Sequence, residues 1–140
     1  MKRRDAREAA FLLTFEKEFR SEPLEELIET AVECRSLELD EYSDRLVRAV
    51  DERREEIDEI ISAHLATWKL ARLPKVTLAV LRLAVGELET FETIPVRVSI
   101  NEAIELAKKY GTEEDAAYVN GVLGSYAKTL SRTDDNDVKA

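Results

Sequence analysis

Pro74-Lys75-Val76-Thr77-Leu78-Ala79-Val80-Leu81-Arg82-Leu83-Ala84-Val85-Gly86-Glu87-Leu88-Glu89-Thr90-Phe91 is the stretch that decides the fold. Proline fixes φ and lacks an amide hydrogen, so Pro74 is well placed to open a helix, which the pattern carries from about Lys75 to Phe91. Val76, Ala79, Val80 and Leu83 make one apolar stripe, while Leu78, Leu81, Ala84, Val85 and Leu88 cover most of the remaining surface. A helix that is apolar on nearly every side is predicted to be central and buried. The longest apolar run, Val76 to Val85, is interrupted by Thr77 and Arg82 and is far too short to span a bilayer, which takes about 20 residues.

Outward from this segment, helical periodicity continues in both directions. Upstream, Ala6, Ala9, Ala10, Phe11, Leu13 and Phe15 predict a first helix from about Arg4 to Phe19, stopped at Ser21 and Pro23. Leu24, Leu27, Ile28, Ala31 and Val32 predict a second, from about Pro23 to Ser36. Asp40 or Ser43 then begins a long run through Tyr42, Leu46, Val47 and Val50. The run continues as Ile57, Ile60, Ile61, His64, Leu65 and Trp68, with a break expected near Asp51 to Arg54. Downstream, Ile94-Pro95 reads as a loop. Ser99-Ile100-Asn101-Glu102 has the pattern of a capping box, opening a helix that ends at Gly111. Thr112-Glu113-Glu114-Asp115 resembles a second box, opening a last helix to about Leu130. From Ser131 the chain is polar and reads as a frayed tail.

The 140 residues are 44% hydrophobic with only 4 glycines and 3 prolines, which favours one all-α domain over residues 1–130 and leaves little turn chemistry for hairpins. One cysteine, Cys34, cannot form an intrachain disulfide. With no apolar signal region, the chain is expected to be cytoplasmic. The net charge of −9 argues against nucleic acid as a general partner. Its distribution is uneven: residues 8–61 hold 7 basic and 18 acidic side chains, whereas residues 1–7 hold Lys2, Arg3, Arg4 and Arg7 against Asp5 alone.

Catalytic chemistry finds no support in this inventory. A serine or cysteine nucleophile needs a base, and the only histidine, His64, falls on an apolar helix face where packing is expected. One histidine and one cysteine do not build the usual zinc site, and the four glycines form no phosphate-binding fingerprint, so no metal or cofactor is expected. Binding has more to offer. Arg4 and Arg7, three residues apart, share a helix face beside Lys2 and Arg3. Guanidinium groups fork onto phosphates and stack on unpaired bases. A short basic end can equally be a solubilising terminus.

Three segments together resemble the NusB transcription-antitermination family over nearly the whole chain, from Arg3 to about Leu130. They are Arg3-Arg4-Asp5-Ala6-Arg7-Glu8-Ala9-Ala10; Val80-Leu81-Arg82-Leu83-Ala84 with Glu87-Leu88, preceded by Trp68 and Arg72; and Ile94-Pro95 through Val98-Ser99-Ile100-Asn101-Glu102-Ala103-Ile104-Glu105-Leu106-Ala107-Lys108 to Tyr110-Gly111, followed by Tyr118-Val119-Asn120-Gly121-Val122-Leu123. The third is the most specific.

The resemblance implies an all-helical fold of about seven helices in two packed sub-bundles. It also implies a function: pairing with the ribosomal protein NusE, binding of single-stranded boxA-type RNA, and service in the RNA polymerase antitermination complex that reads through ribosomal RNA operons. Carried over residue by residue, the RNA surface is Lys2, Arg3, Arg4 and Arg7, with Tyr118 for stacking and Asn120 for a polar contact; Phe15 is a candidate NusE contact. Each of the last three has a structural alternative: Tyr118 and Phe15 as packing residues, Asn120 as a backbone partner at a tight helix contact beside Gly121.

The chain departs from the family pattern at Thr77 and Leu78, where an acidic and then a basic residue are usual, at Gly86, where an aromatic is usual, and at Gly124, where an acidic residue is usual. Two other functions compete. A protein adaptor that kept the fold but has little RNA affinity would show the same motifs. The NusB-like domain of ribosomal RNA cytosine methyltransferases would need a strand-rich extension for the methyl donor. Apolar faces on short amphipathic helices leave room for a homodimer.

Overall fold

A computed structural model describes residues 1–130; the polar tail read from Ser131 lies outside the described residues. Seven α-helices and one 3₁₀ turn, with no strand among the described residues, run in the order α1 (Arg3–Lys17), α2 (Leu24–Arg35), α3 (Glu41–Glu52), α4 (Arg54–Ser62), the turn Leu70–Arg72, α5 (Lys75–Thr90), α6 (Val96–Tyr110) and α7 (Glu113–Ala127). Among the described residues, no helix is long and apolar enough to cross a membrane.

Helix α5 is the axle that its pattern predicts. Every residue from Thr77 to Leu88 is buried, and α1, α3, α4, α6 and α7 all pack against it. The α1–α3 group lies to one side and α4, α6 and α7 to the other, so α5 joins the two sub-bundles. Gly86 permits the closest approach. A Cβ there would stand 2.6 Å from Val50 Cγ2 and 3.3 Å from Ile57 Cδ1, so α3 and α4 press against α5 where a larger side chain would hold them off.

Arg82 is one of two charged residues inside this buried helix, with Glu87, and burial alone would make it costly. It forks onto Asp58 of α4, at 2.8 and 3.0 Å, and also reaches Glu18 at the end of α1. Arg54 and Lys75 approach the same Glu18 at 3.3 and 3.7 Å. Burial pulls the Arg82 guanidinium down to about 10, which leaves it charged at neutral pH and able to tie three helices together.

Helix termini follow local chemistry, with two corrections. Asp40, not Ser43, caps α3: its carboxylate accepts the Ser43 amide and the Ser43 hydroxyl accepts the Asp40 amide, both at 2.8 Å. Thr112 and Asp115 form the expected reciprocal box at the head of α7. The Ser99 box does not form. Helix α6 starts three residues earlier, at Val96, and the Ser99 amide already donates to the Pro95 carbonyl, so no orphan donor remains there for a cap to satisfy. The second correction concerns the run through His64 to Trp68. Helix α4 ends at Ser62, and the chain then turns to bring Pro74 to the head of α5. His64 is half-buried off the helix, its Nδ1 2.8 Å from Ser125 Oγ and its ring edge-on to Tyr126, while Trp68 is 55% exposed.

Candidate nucleic-acid interface

The basic N-terminal segment enters helix at Arg3, so Lys2 precedes the first turn and Arg3, Arg4 and Arg7 project from the first two. Geometry separates these four cations. Lys2, Arg3 and Arg4 are exposed, whereas Arg7 is 5% exposed. Arg4 and Arg7 therefore do not share the open face that their spacing suggests. Arg7 lies on the same helix side as Ala10 and Phe11, which are buried in the core, and it is drawn inward with them.

What holds Arg7 inside is Glu87 of α5, itself 2% exposed. Its carboxylate accepts the Arg7 Nε at 2.7 Å on Oε2 and the Ser99 hydroxyl at 2.7 Å on Oε1; the Tyr42 hydroxyl also donates to Oε2. Four helices thus meet on one buried carboxylate. A buried charge with so many donors is satisfied, and losing one partner would expose the full desolvation penalty of the rest. Burial, and then the Glu87 carboxylate that takes its hydrogen bond, hold the Tyr42 phenol well above its ordinary range, so it stays a donor. Ser99, misplaced as a cap, has its role here.

Arg4 is 69% exposed but forks onto Glu102 of α6 through Nε to Oε1 at 3.0 Å and Nη2 to Oε2 at 2.8 Å. The fork holds the Glu102 carboxyl below its ordinary range. One turn along α1, Glu8 accepts Lys109 at 2.6 Å and the Tyr110 hydroxyl. Lys109 first, then Tyr110, lowers the Glu8 carboxyl, while burial pushes the Tyr110 phenol up to about 12. The basic end of α1 is therefore seated on α5 and α6 by three carboxylates.

Arg3 has no carboxylate partner among the described residues; its guanidinium carbon lies 3.7 Å from the centre of the Tyr42 ring, a cation–π contact. Sequence reasoning missed the continuation of this layer. Tyr42 packs on Phe91, ring centres 4.7 Å apart, and Arg45 stacks on Phe91 at 4.9 Å. Tyr42 and Arg45 are one turn apart on α3, a spacing visible in the sequence, but Phe91 joins them only through the fold.

Tyr118 and Asn120 sit elsewhere. Tyr118 is half-buried and lines a surface groove of about 280 Å³ with Trp68, Arg72, Pro74 and Thr77, none of which borders the Arg4–Glu102 site. The hydroxyls of Tyr118 and Thr77 are both buried with no hydrogen-bond partner among the described residues, and burial raises the Tyr118 phenol. Asn120 is exposed, and beside it a Cβ at Gly121 would meet nothing within 4 Å, so the tight helix contact that offered Asn120 a structural role is absent. Gly124 is equally open. Phe15 is half-buried in a ladder, 5.8 Å from Phe11 and edge-on to Phe19 at 5.1 Å. With Leu12, Leu37 and the 62% exposed Phe19, it lines a groove of about 570 Å³.

Known proteins resemble this chain over most of its length. The NusB family model matches residues 4–128. Transcription antitermination protein NusB of Clostridium botulinum (strain Kyoto / Type A2) is 43% identical over 89% of this chain and 98% of its own length. The protein of the same name from Bacillus subtilis (strain 168) is 41% identical over 95% of this chain and all of its own. Among solved structures, T. maritima NusB superposes with a TM-score of 0.82 at 38% identity, covering 100% of this chain and 99% of that one. A chain in the crystal structure of antitermination factors NusB and NusE in complex with dsRNA superposes with a TM-score of 0.83 at 34% identity, covering 91% and 97%. A family match over residues 4–128, with relatives that cover most of this chain and nearly all of their own length, establishes that this chain belongs to the NusB family.

Proposed function

We propose that this protein is a transcription antitermination factor that binds boxA-type RNA together with the ribosomal protein NusE, within the RNA polymerase antitermination complex on ribosomal RNA operons. It acts in the cytoplasm by binding and catalyses nothing. The observation that carries this reading is the head of α1, where Lys2, Arg3 and Arg4 stand exposed beside the buried Arg7–Glu87 ion pair in an otherwise acidic chain. A NusB relative 34% identical to this chain has been crystallised with NusE and dsRNA, which supports both partners.

Lys2, Arg3 and Arg4 would meet phosphates and bases, and Arg7 would act through Glu87 by holding the helix end in place. Tyr118, with Trp68 and Arg72 in a groove that Glu114 and Asp115 also line, offers a stacking surface, since aromatic faces contribute on the order of 1–3 kcal/mol per stacked base, and Asn120 would add a polar contact from α7. The Phe15 and Phe19 groove is the apolar surface available to NusE. A second reading, the adaptor with little RNA affinity, draws on a specific observation: Arg4 and Arg7 are both already engaged by carboxylates. Titration of labelled boxA RNA, single-stranded and as a duplex, with and without NusE, separates the two. The expected result is weak binding alone and tighter, sequence-selective binding with NusE. Absence of selective binding in both cases overturns the RNA role and leaves the adaptor.

A further inference from the structure

Residues 8–61 form the acidic half of the chain, and carboxylates there engage almost every arginine. Of the six arginines in that span, Arg20, Arg35, Arg48, Arg53 and Arg54 each lie within 4 Å of an Asp or Glu oxygen. Arg45 alone has no carboxylate partner among the described residues, although Glu41 and Asp44 lie on the same helix. It is exposed and stacks on Phe91 instead. Beyond the next ring, Arg3 is stacked on Tyr42 in the same manner, also with no acidic partner. The order is guanidinium, ring, ring, guanidinium, so the two cationic carbons can be no further apart than the three measured stacking distances laid end to end.

This layer differs from a chance surface charge in two ways. A long arginine side chain normally loses considerable rotamer freedom on binding, but a guanidinium already held over an aromatic face is restricted in advance. The rings are themselves fixed: Phe91 is buried at the end of α5, and Tyr42 is tied to Glu87, the carboxylate that anchors Arg7. A stacked guanidinium keeps its N–H edge available for a bidentate contact with a phosphate. An acidic partner surface could use the same cations, but a stacked guanidinium beside aromatic rings is the arrangement that favours single-stranded nucleic acid.

We infer that Arg45 and Arg3, mounted on Phe91 and Tyr42, form a phosphate-binding extension of the RNA surface, so that a bound strand continues from the head of α1 across the first turns of α3. The inference rests on the RNA-binding reading above and adds Arg45, a residue outside the basic N-terminal motif. Its ligand is the sugar-phosphate backbone, so the contribution is independent of base sequence.

The test uses the complex with NusE and a labelled single-stranded RNA carrying boxA with flanking nucleotides on both sides, titrated over a range of salt concentrations. Arg45→Gln is expected to weaken binding about three- to tenfold for boxA and scrambled RNA alike, and to reduce the slope of log K against log salt by about 0.7, one phosphate on a single strand. Its thermal midpoint and its affinity for NusE without RNA should match those of the unaltered protein. Arg45→Lys, which keeps the charge but not the forked guanidinium over the ring, should recover only part of the affinity. An Arg45→Gln protein with unchanged affinity and slope, in an assay where Arg4→Ala lowers both, overturns the extension and leaves the RNA reading standing. Weakened NusE affinity with unchanged RNA contacts assigns Arg45 to the partner and also overturns it. If the unaltered complex binds no RNA, both readings fall together.

Discussion

Replacing Arg7 with alanine should unfold the protein more readily before it disturbs RNA contacts. The side chain is 5% exposed and donates at 2.7 Å to Glu87, which is 2% exposed. Removing one partner of a buried ion pair costs about 3–5 kcal/mol because the remaining charge is stranded. Here Glu87 keeps the Tyr42 and Ser99 hydroxyls, which places the loss near the lower end, about 3 kcal/mol. For a domain of this size that lowers the thermal midpoint by about 6–12 °C. Urea denaturation followed by far-UV circular dichroism gives the free energy, with the m-value unchanged if the native and denatured states keep their compactness. The double variant Arg7→Met/Glu87→Gln removes the stranded charge and leaves an amide for the two hydroxyls, and it should recover at least half of the loss. RNA titrations at a temperature where both proteins are folded should show Arg4→Ala reducing the salt slope and Arg7→Ala leaving it unaltered. A stability within about 0.5 kcal/mol of the unaltered protein, joined to a reduced salt slope, would refute the buried role and return Arg7 to the RNA surface.

Two further perturbations probe the same frame. Gly86→Ala gains about 1 kcal/mol of helix propensity but places a methyl 2.6 Å from Val50 Cγ2, a stiff β-branched side chain that is itself buried. Overpacking of about 1–3 kcal/mol should outweigh the gain for a net loss of about 1 kcal/mol, and the sign should reverse in a Val50→Ala background, as read by thermal denaturation. Glu102→Gln releases Arg4 from its carboxylate, so RNA affinity should rise about two- to fivefold, the range of an exposed ion pair. Unchanged or weaker binding would show that the fork positions Arg4 rather than competes for it. Because Arg4 lowers the Glu102 carboxyl in the folded protein, its stabilising part is present above the unfolded value of about 4.3 and is lost as pH falls through the lowered one; the glutamine variant should lack that portion of the acid dependence.

The fold was legible where local chemistry and periodicity agree. The segment from Pro74 to Phe91 announces a buried helix because apolar residues surround it, and α5 is buried as that pattern requires. The Thr112 box declares itself because its donors and acceptors are three residues apart in one chain segment. Ser99 carries the same local signature and does something else, since Pro95 opened the helix a turn earlier and left the hydroxyl facing Glu87. A local pattern cannot report which competing start is used when tertiary burial supplies the deciding contact.

The site divides along the same line. Composition and order along the chain determined by themselves that the protein is all-helical, that a basic cluster stands at the N-terminus ahead of an acidic stretch over residues 8–61, and that it carries the family's motifs. Which of those cations are free was decided only by tertiary structure. Arg4 and Arg7 have the same chemistry and lie three residues apart, yet one is exposed and the other is held by a carboxylate 80 positions away along the chain. Arg45, within the acidic stretch of residues 8–61, joins the basic surface through Phe91, which no spacing in the sequence connects to it. Helical periodicity assigns a residue to a face, but the charge a face presents depends on which distant carboxylates pack against it. That is set by how α1, α3 and α6 converge on α5.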